Sequence, residues 1–206
     1  EGNFTVTLTD DVNEDTDGDG FSDQQEISAG TNPNDPTSQP GLDFGLVGWY
    51  PFDGNASDMS GNGHDGTVNG ATSSVDRHGN MGKAYSFDGV DDLIDLGASA
   101  FPDIGSPNQP ATFTGWFNTS LNAASGQAIL SDYTSSGYDY HLVAMIQLIG
   151  SDTRLQTSSR FQSSVKKNSN AHGLADSQWH FFAYQMDGTS KLKLYLDGVF
   201  DSEDAY

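Results

Sequence analysis

Short segments in which apolar and polar residues alternate, with turn residues between them, fill the chain from residue 45 onward. The clearest is Lys191–Leu196, whose three leucines fall on one face of a strand while its other side chains fall on the opposite face. Asp187-Gly188 precedes this segment and Asp197-Gly198 follows it, and both pairs are typical of tight hairpin turns. The pattern therefore predicts a strand with one buried face, joined to its neighbours by hairpins.

The same alternation predicts eight strands after residue 45, and no segment there shows a capped helical repeat. The predicted strands are Leu46–Phe52, Lys83–Phe87, Leu93–Leu96, Ala111–Asn118, Ala128–Ser131, Tyr138–Ile149, Trp179–Met186 and Lys191–Leu196. This number of strands in one domain is typical of two packed sheets, and a jelly roll is the topology that suits it. We therefore expect an all-β fold with a β-sandwich of the jelly-roll type.

Two different segments precede the predicted sandwich. Phe4–Thr9 alternates with a period of two and predicts a strand. Because a lone strand is not stable, we interpret residues 1–12 as the last strand of a preceding β domain. Thr31–Gly41 contains three prolines and no apolar periodicity, so it predicts a stiff linker. We therefore predict a spacer with its linker at residues 13–44 and a β domain at residues 45–206.

Charge and composition exclude several classes of protein. The chain has 8 Lys and Arg against 29 Asp and Glu, a net charge of −21, which is the wrong sign for a surface that binds nucleic acid or an anionic membrane. No stretch is long and apolar enough to insert into a membrane. The absence of cysteine excludes disulfides and thiolate metal sites. Residues 1–45 contain eleven of the acidic residues and no Lys or Arg.

One acidic segment fits a demanding metal-binding pattern. Residues 15–26 match D-x-[DN]-x-[DN]-G-x5-E at every specified position. In this pattern alternate aspartates converge on one cation, a glycine permits the sharp turn and the last glutamate supplies two oxygens. The predicted ligands, through side chains or in one case the backbone carbonyl, are Asp15, Asp17, Asp19, Phe21 (carbonyl), Asp23 and Glu26. Oxygen ligands of this kind predict Ca²⁺, and the alternative is an acidic linker that binds no metal.

The residues on either side of this loop indicate which kind of calcium-binding motif it belongs to. No amphipathic helix precedes Asp15, and only Asp23–Ile27 could form a helical turn after it, so a signalling EF-hand is not expected. The loop, with Gly30-Thr31-Asn32-Pro33-Asn34-Asp35 after it, resembles the thrombospondin type 3 repeats of bacterial extracellular proteins. This resemblance implies a spacer between domains that calcium stiffens.

The β domain resembles the laminin G-like, concanavalin A-like jelly-roll domains. Motifs similar to those of this family follow one another in order at 46–55, 58–66, 82–92, 113–117, 179–182 and 192–198. The resemblance implies further closing strands, so we expect the domain to be truncated at Tyr206. It also implies a second calcium site at the edge of the sandwich, for which Asp53, Asp58 and Asp88 are the candidates, although turn-forming aspartates need no metal.

The chemistry of the β domain favours binding over catalysis. Hydrolysis of a glycosidic bond needs a pair of carboxyl groups, and none of the four glutamates falls in a predicted strand of the sandwich. We expect Trp49, Trp116 and Trp179 to pack in the core rather than to form a sugar-stacking surface. Candidate ligand-binding residues are the tyrosines around a Ser- and Gly-rich loop, which an ordinary hairpin tip would also explain: Tyr133, Tyr138 and Tyr140.

Together these features predict a non-catalytic, calcium-binding module of a large bacterial surface or secreted protein. Its expected partners are a glycan or an extracellular protein, bound for adhesion or targeting, and the neighbouring domains of its own chain. Nucleic acid and direct membrane insertion are not expected. Two alternatives remain: a structural spacer or assembly module that calcium makes rigid, and an accessory domain of a carbohydrate-active enzyme.

Overall fold

A computed structural model describes residues 14–41, 43–97, 110–120, 127–133, 140–149, 152–159, 165–187 and 191–205. Within these ranges the chain forms one helix, α1 (Asp23–Ala29), and twelve strands. The strands are β1 (Thr67–Asn69), β2 (Thr72–Val75), β3 (Met81–Ser86), β4 (Leu93–Asp95), β5 (Ala111–Asn118), β6 (Gln127–Tyr133), β7 (Tyr140–Ile149), β8 (Asp152–Ser159), β9 (Val165–Asn168), β10 (Trp179–Met186), β11 (Lys191–Leu196) and β12 (Val199–Ala205). The strand predicted in residues 1–12 lies outside the described residues. In the described part of the chain, no helix has the length and apolar character needed to cross a membrane.

The strands form two four-stranded sheets and two small ones, and the described pairings are all antiparallel. One large sheet has the order β12-β11-β10-β5 and the other the order β6-β7-β8-β9. The small sheets pair β1 with β4 and β2 with β3. The prediction of an all-β fold is therefore confirmed.

The hydrophobic core contains residues from both large sheets. Phe182 on β10 and Leu194 on β11 are buried in one cluster with Leu155 on β8. A second cluster of Tyr184 and its buried neighbours continues along the first sheet and contacts Leu130 on β6. Since fully burying one leucine side chain contributes about 1.5–3 kcal/mol, these contacts supply much of the stability of the β domain.

The hairpin between β11 and β12 has the turn that its sequence predicts. Asp197 and Gly198 have φ values of 51° and 80°, the left-handed values that a two-residue type I′ turn requires at both positions. Leu196 is paired with Val199 directly across this turn. Strand β12 itself was not among the predicted strands, because its sequence, VFDSEDA, is mostly polar.

Several strand predictions are confirmed with the same bounds, but that for Leu46–Phe52 is wrong. This segment makes hydrogen bonds to a loop and not to a neighbouring strand. The Trp49 N–H donates to the Asp58 carboxylate, and the Trp49 carbonyl accepts a hydrogen bond from the Met59 N–H. The partners of this segment are therefore a side chain and a turn, and its last residue, Phe52, has a φ of 56°, which is outside the strand region. Strands β1, β2, β8 and β9, which are short or rich in polar residues, were not predicted.

The prediction of core packing is also wrong for two of the three tryptophans. Trp49 is 54% exposed and Trp116 is 44% exposed. Trp116 lies beside the buried Phe117 on β5, and successive side chains of a strand point to opposite faces, so only one of the two reaches the core. The Trp116 ring instead packs against Phe181, with the Arg77 guanidinium 4.4 Å from its centroid.

Candidate calcium site

The first three predicted metal ligands converge in the loop before α1. Oxygen atoms of Asp15, Asp17 and Asp19 lie within 4.8 Å of one another. The two glycines between and after them have φ values of 76° (Gly18) and 101° (Gly20), and an added Cβ would meet no other atom within 4 Å at either position. Glycine is therefore required here for its backbone conformation and not for space.

The backbone of the loop fixes the orientation of these carboxylates. Asp15 accepts hydrogen bonds from the N–H groups of Gly18 and Gly20, at 2.8 and 3.0 Å. One oxygen of Asp17 accepts a hydrogen bond from the Asp19 N–H at 3.3 Å. One oxygen of Asp19 accepts a hydrogen bond from the Phe21 N–H at 2.9 Å. Each carboxylate thus uses oxygen atoms to close a turn, which leaves the second oxygen of Asp17 and of Asp19 for another partner.

Helix α1 brings the fourth carboxylate, Glu26, near enough to be repelled by the charges of Asp17 and Asp19, although it lies outside the cluster of three aspartates. Ser22 caps the helix: its hydroxyl accepts from the Gln25 N–H, while the Gln25 side chain accepts from the Ser22 N–H, which is a capping box. The Asp23 N–H bonds to the Glu14 carbonyl at 2.7 Å and so ties the start of the helix to the start of the loop. Glu26 lies in the first turn of this fixed helix and is fully buried.

Four buried carboxylate oxygens at this place have no hydrogen-bond partner in the described part of the chain: Asp17 Oδ2, Asp19 Oδ2, Glu26 Oε1 and Glu26 Oε2. Burying a charged carboxylate is costly unless a partner compensates it. Loss of hydration raises the pKa values of Asp17 and Glu26, and repulsion by the neighbouring aspartates adds to this increase. Hard oxygen donors gathered in this way fit a calcium ion, with Glu26 offering two of them.

Asp23 and Phe21 were predicted ligands whose described contacts are of another kind. Both carboxylate oxygens of Asp23 accept hydrogen bonds from Thr16, one from its N–H at 2.9 Å and one from its hydroxyl at 2.7 Å. Asp23 therefore clamps the two ends of the loop together and lies outside the three-aspartate cluster. For Phe21 the described contact is the hydrogen bond from its N–H to Asp19. The clamp by Thr16 was missed, because nothing in the sequence pattern marks that position.

The structure does not assemble the second predicted calcium site. Among the described residues, Asp53, Asp58 and Asp88 form no common cluster. Asp53 forms an ion pair with Lys83 at 2.7 Å, and Asp58 is buried with backbone N–H groups as partners. Asp88 lies instead near two exposed or half-buried aspartates, Asp91 and Asp92.

The predicted ligand-binding tyrosines lie at the edge of what the structure describes. Tyr138 lies outside the described residues, and for Tyr133 and Tyr140 only the backbone is described. These two residues are directly paired at the end of the β6–β7 hairpin. A role for their side chains stays a prediction.

The fold and the site define a class of protein, an all-β module preceded by an acidic loop suited to calcium. The sequence model of the family described as "Bacterial TSP3 repeat" matches residues 15–36, the segment that contains this loop and α1. The chain therefore carries a bacterial thrombospondin type 3 repeat, and repeats of this type bind calcium.

Comparisons of the whole chain give weaker likenesses. No curated protein matches the sequence. One similar solved structure is the binding domain of Paraclostridial Mosquitocidal Protein 1, with 11% identity and a TM-score of 0.49 over 77% of this chain and 39% of that one. Another is the alginate lyase PA1167 from Pseudomonas aeruginosa, with 17% identity and a TM-score of 0.29 over 47% of this chain and 45% of that one. At these values neither likeness bears on function.

Proposed function

We propose that this chain is a non-catalytic, calcium-binding extracellular module. In it, the thrombospondin type 3 repeat is a spacer that calcium makes rigid, and the β domain binds a glycan or another extracellular ligand for adhesion or targeting. The observation that carries the calcium part is the set of buried, unpartnered oxygens of Asp17, Asp19 and Glu26. A carboxylate shell of this kind requires a cation from outside the chain, and extracellular modules bind Ca²⁺ with dissociation constants of about 10⁻⁴ to 10⁻³ M.

The architecture of the β domain supports the finer assignment to a laminin G-like jelly roll. Two antiparallel four-stranded sheets share a core, and β10, β11 and β12 follow one another as a meander in the first of them. Such a two-sheet scaffold presents loops at its ends, where binding groups are usually found. Fold alone does not define the ligand, so the ligand class is a separate proposal.

A non-catalytic role is supported by where the described glutamates lie. Glu26 lies in α1 and belongs to the candidate calcium site. Glu203 lies on β12 with the Lys191 ammonium group 3.1 Å from its carboxylate, so it is already paired with a cation. A glycoside hydrolase needs two carboxyl groups on either side of the bond, about 5–9.5 Å apart.

The test of the calcium site is a titration by calorimetry together with thermal unfolding, on the wild type and on an Asp17→Ala, Glu26→Ala variant. Asp88→Asn, Asp92→Asn is the matched control, because it removes two acidic groups from a cluster without buried unpartnered oxygens. We expect the heat of binding and the stabilisation by Ca²⁺ to vanish in the first variant and to persist in the control. Calcium binding that survives the first variant would place the ion elsewhere.

A purely structural spacer is the second candidate, and one observation favours it. In the described part of the chain, the hydrogen bonds of residues 14–40 all stay within that segment. The repeat is thus built as a unit of its own. Small-angle scattering separates the two roles: compaction on adding Ca²⁺, combined with no binding on a glycan array, would favour the spacer.

A further inference from the structure

An open groove of about 500 Å³ lies at the start of the β domain, and much of its lining is apolar. Trp49 and Met59 form its exposed apolar surface, and they are 54% and 59% exposed. Leu46, Ser60 and the carboxylate-bearing Asp43 complete it. We call this feature the Trp49 groove. Its volume falls in the range of about 300–1,000 Å³ that is usual for small-molecule sites.

The groove stands on a rigid base, since two stretches of chain are joined beneath it by hydrogen bonds. The Met59 N–H donates to the Trp49 carbonyl at 2.8 Å, and the Trp49 N–H donates to the Asp58 carboxylate at 3.0 Å. The side-chain amide of Asn62 donates to the carbonyls of residues 46 and 47, at 2.9 and 3.0 Å. The two apolar residues of the groove are therefore held side by side before any ligand arrives.

Asp58 is the buried anchor of this base. Its carboxylate accepts hydrogen bonds from the N–H groups of Trp49, Ser60 and His64, at 3.0, 2.9 and 3.1 Å. Burial alone would raise the pKa of the Asp58 carboxyl, but these hydrogen bonds outweigh burial and hold that pKa well below its usual range. The Asp58 carboxylate therefore stays charged throughout the physiological pH range, and the hydrogen bonds beneath the groove stay intact. A support that is already ordered reduces the entropy cost of binding a ligand.

The chemistry of the groove suits a neutral sugar. An indole ring offers a flat apolar face for the C–H groups of a pyranose ring, and a carboxylate accepts hydrogen bonds from sugar hydroxyls. Asp43 carries a negative charge in the groove, and the whole chain carries −21, so an acidic sugar would be repelled. One indole face is a stacking surface and not the aromatic cage that encloses a quaternary ammonium ion.

We propose that the Trp49 groove binds a neutral saccharide, with one pyranose ring stacked on Trp49 and its hydroxyls bonded to Asp43. This proposal rests on the proposed function of the β domain as a ligand-binding unit and gives that unit a site and a ligand class. Trp49 is then an anchor for a ligand, which explains why a large apolar side chain is held in water on a fixed base.

The test is tryptophan fluorescence and calorimetry on the calcium-loaded chain with neutral oligosaccharides of glucose, galactose, mannose, xylose and N-acetylglucosamine. We expect one of them to shift the emission and to bind at least tenfold more weakly to Trp49→Ala. Asp43→Asn should weaken binding less, since an amide still accepts one hydrogen bond. Trp116→Ala is the matched control, because it removes another half-exposed tryptophan at a different place and should leave the affinity unchanged. Unchanged thermal unfolding of each variant confirms that it is folded.

Other results would overturn the inference in distinguishable ways. A neutral saccharide that binds Trp49→Ala as well as the wild type would refute the groove and leave the proposed function intact. No binding of any saccharide, neutral or acidic, would refute both the groove and the glycan part of the proposed function. Binding of choline that depends on Trp49, or a dimer in sedimentation that Trp49→Ala abolishes, would show that the groove has another occupant.

Discussion

The calcium loop and the core of the β domain both depend on burial, but they bury opposite kinds of groups. In the core, Leu192 and Leu194 are fully buried among other apolar side chains. At the candidate calcium site, the residue buried to the same extent is Glu26 in the first turn of α1, whose two carboxylate oxygens have no partner within the described residues. Burial of apolar surface is favourable by itself, whereas burial of a carboxylate is unfavourable until a cation joins it. Within the described residues the core therefore has its partners, whereas these carboxylate oxygens do not.

The two acidic clusters show the same distinction on a smaller scale. Both bring three aspartates within 4.8 Å of one another. At Asp88 and Asp92, however, the carboxylates close exposed turns by accepting backbone N–H groups, and they have no buried oxygen without a partner. Proximity of acidic groups is thus insufficient to define a metal site, and the buried, uncompensated oxygens of Asp17, Asp19 and Glu26 are what distinguish the loop.

The largest expected effect is on the core. Leu194→Ala removes a fully buried side chain from the cluster shared by both sheets, so we expect the free energy of unfolding of the β domain to fall by about 2–5 kcal/mol. Urea unfolding followed by near-ultraviolet circular dichroism measures this change. If the two regions are stabilised independently, the affinity of the loop for Ca²⁺ stays the same in calorimetry. A parallel loss of calcium affinity would contradict the separation of the two regions.

Removal of calcium should have the next largest effect, and on the other region. Free Ca²⁺ at 100 times its dissociation constant stabilises the unit that binds it by about 2.7 kcal/mol. Because this energy belongs to the loop, chelation should accelerate hydrogen exchange at the N–H groups of Gly18 and Gly20, which bond to Asp15, and leave exchange in β10 and β11 unchanged. Mass spectrometry with and without a chelator tests this. Equal acceleration in the strands would show that the ion supports the β domain as well.

Periodicity in the sequence was sufficient to predict the strands whose one face is apolar. β5, β10 and β11 have the predicted bounds because their alternation is clean and each buries one face. It was insufficient for β12, which is polar and pairs at the edge of a sheet. It was also insufficient for Leu46–Phe52, whose alternation suits a strand but whose partners are Asp58 and a turn. A polar edge strand, or a segment whose partners are a side chain and a turn, has no alternation that identifies it.

The site was predictable to the extent that its chemistry is local. The spacing of Asp15, Asp17 and Asp19 specified the cluster, since all three aspartates belong to one short turn. The clamp between Thr16 and Asp23 needed the folded loop, because a threonine in that position has no fixed role in the pattern. The exposure of Trp49 was not predictable either, since it depends on which face of the segment turns toward solvent.

We expect a smaller effect on the stability of the β domain from His180, whose charge two aspartates compensate. His180 on β10 bonds to Asp197 at 2.9 Å and to Asp176 at 3.2 Å. Burial would lower the pKa of His180, but the two carboxylates outweigh burial and raise it above its usual value. A raised folded-state pKa means that this stabilisation is fully present below pH 6.5 and is lost as the pH rises through the folded-state value. We expect a contribution of about 1 kcal/mol or less, because the aspartates are half exposed.

The measurement for His180 is the free energy of unfolding in urea at fixed Ca²⁺ between pH 5.5 and 9. The wild type should lose stability toward high pH, and His180→Gln should lose less. His172→Gln, which changes an exposed histidine, is the control and should retain the dependence of the wild type. The same slope in His180→Gln as in the wild type would contradict this role.

The smallest effect is expected for the ion pair between Lys191 and Glu203, which sharpens the contrast with the loop. Its nitrogen and oxygen are 3.1 Å apart, but the side chains are 52% and 42% exposed, so water already stabilises each charge without the other. A double-mutant cycle with Lys191→Met and Glu203→Gln should give a coupling energy of no more than about 0.5 kcal/mol, which salt reduces further. A coupling above about 1 kcal/mol, unaffected by salt, would contradict this expectation. The carboxylates of Glu203 and Glu26 are chemically alike, so the contrast between a small coupling here and the calcium binding that we expect there comes from the burial of Glu26 and from the aspartates near it.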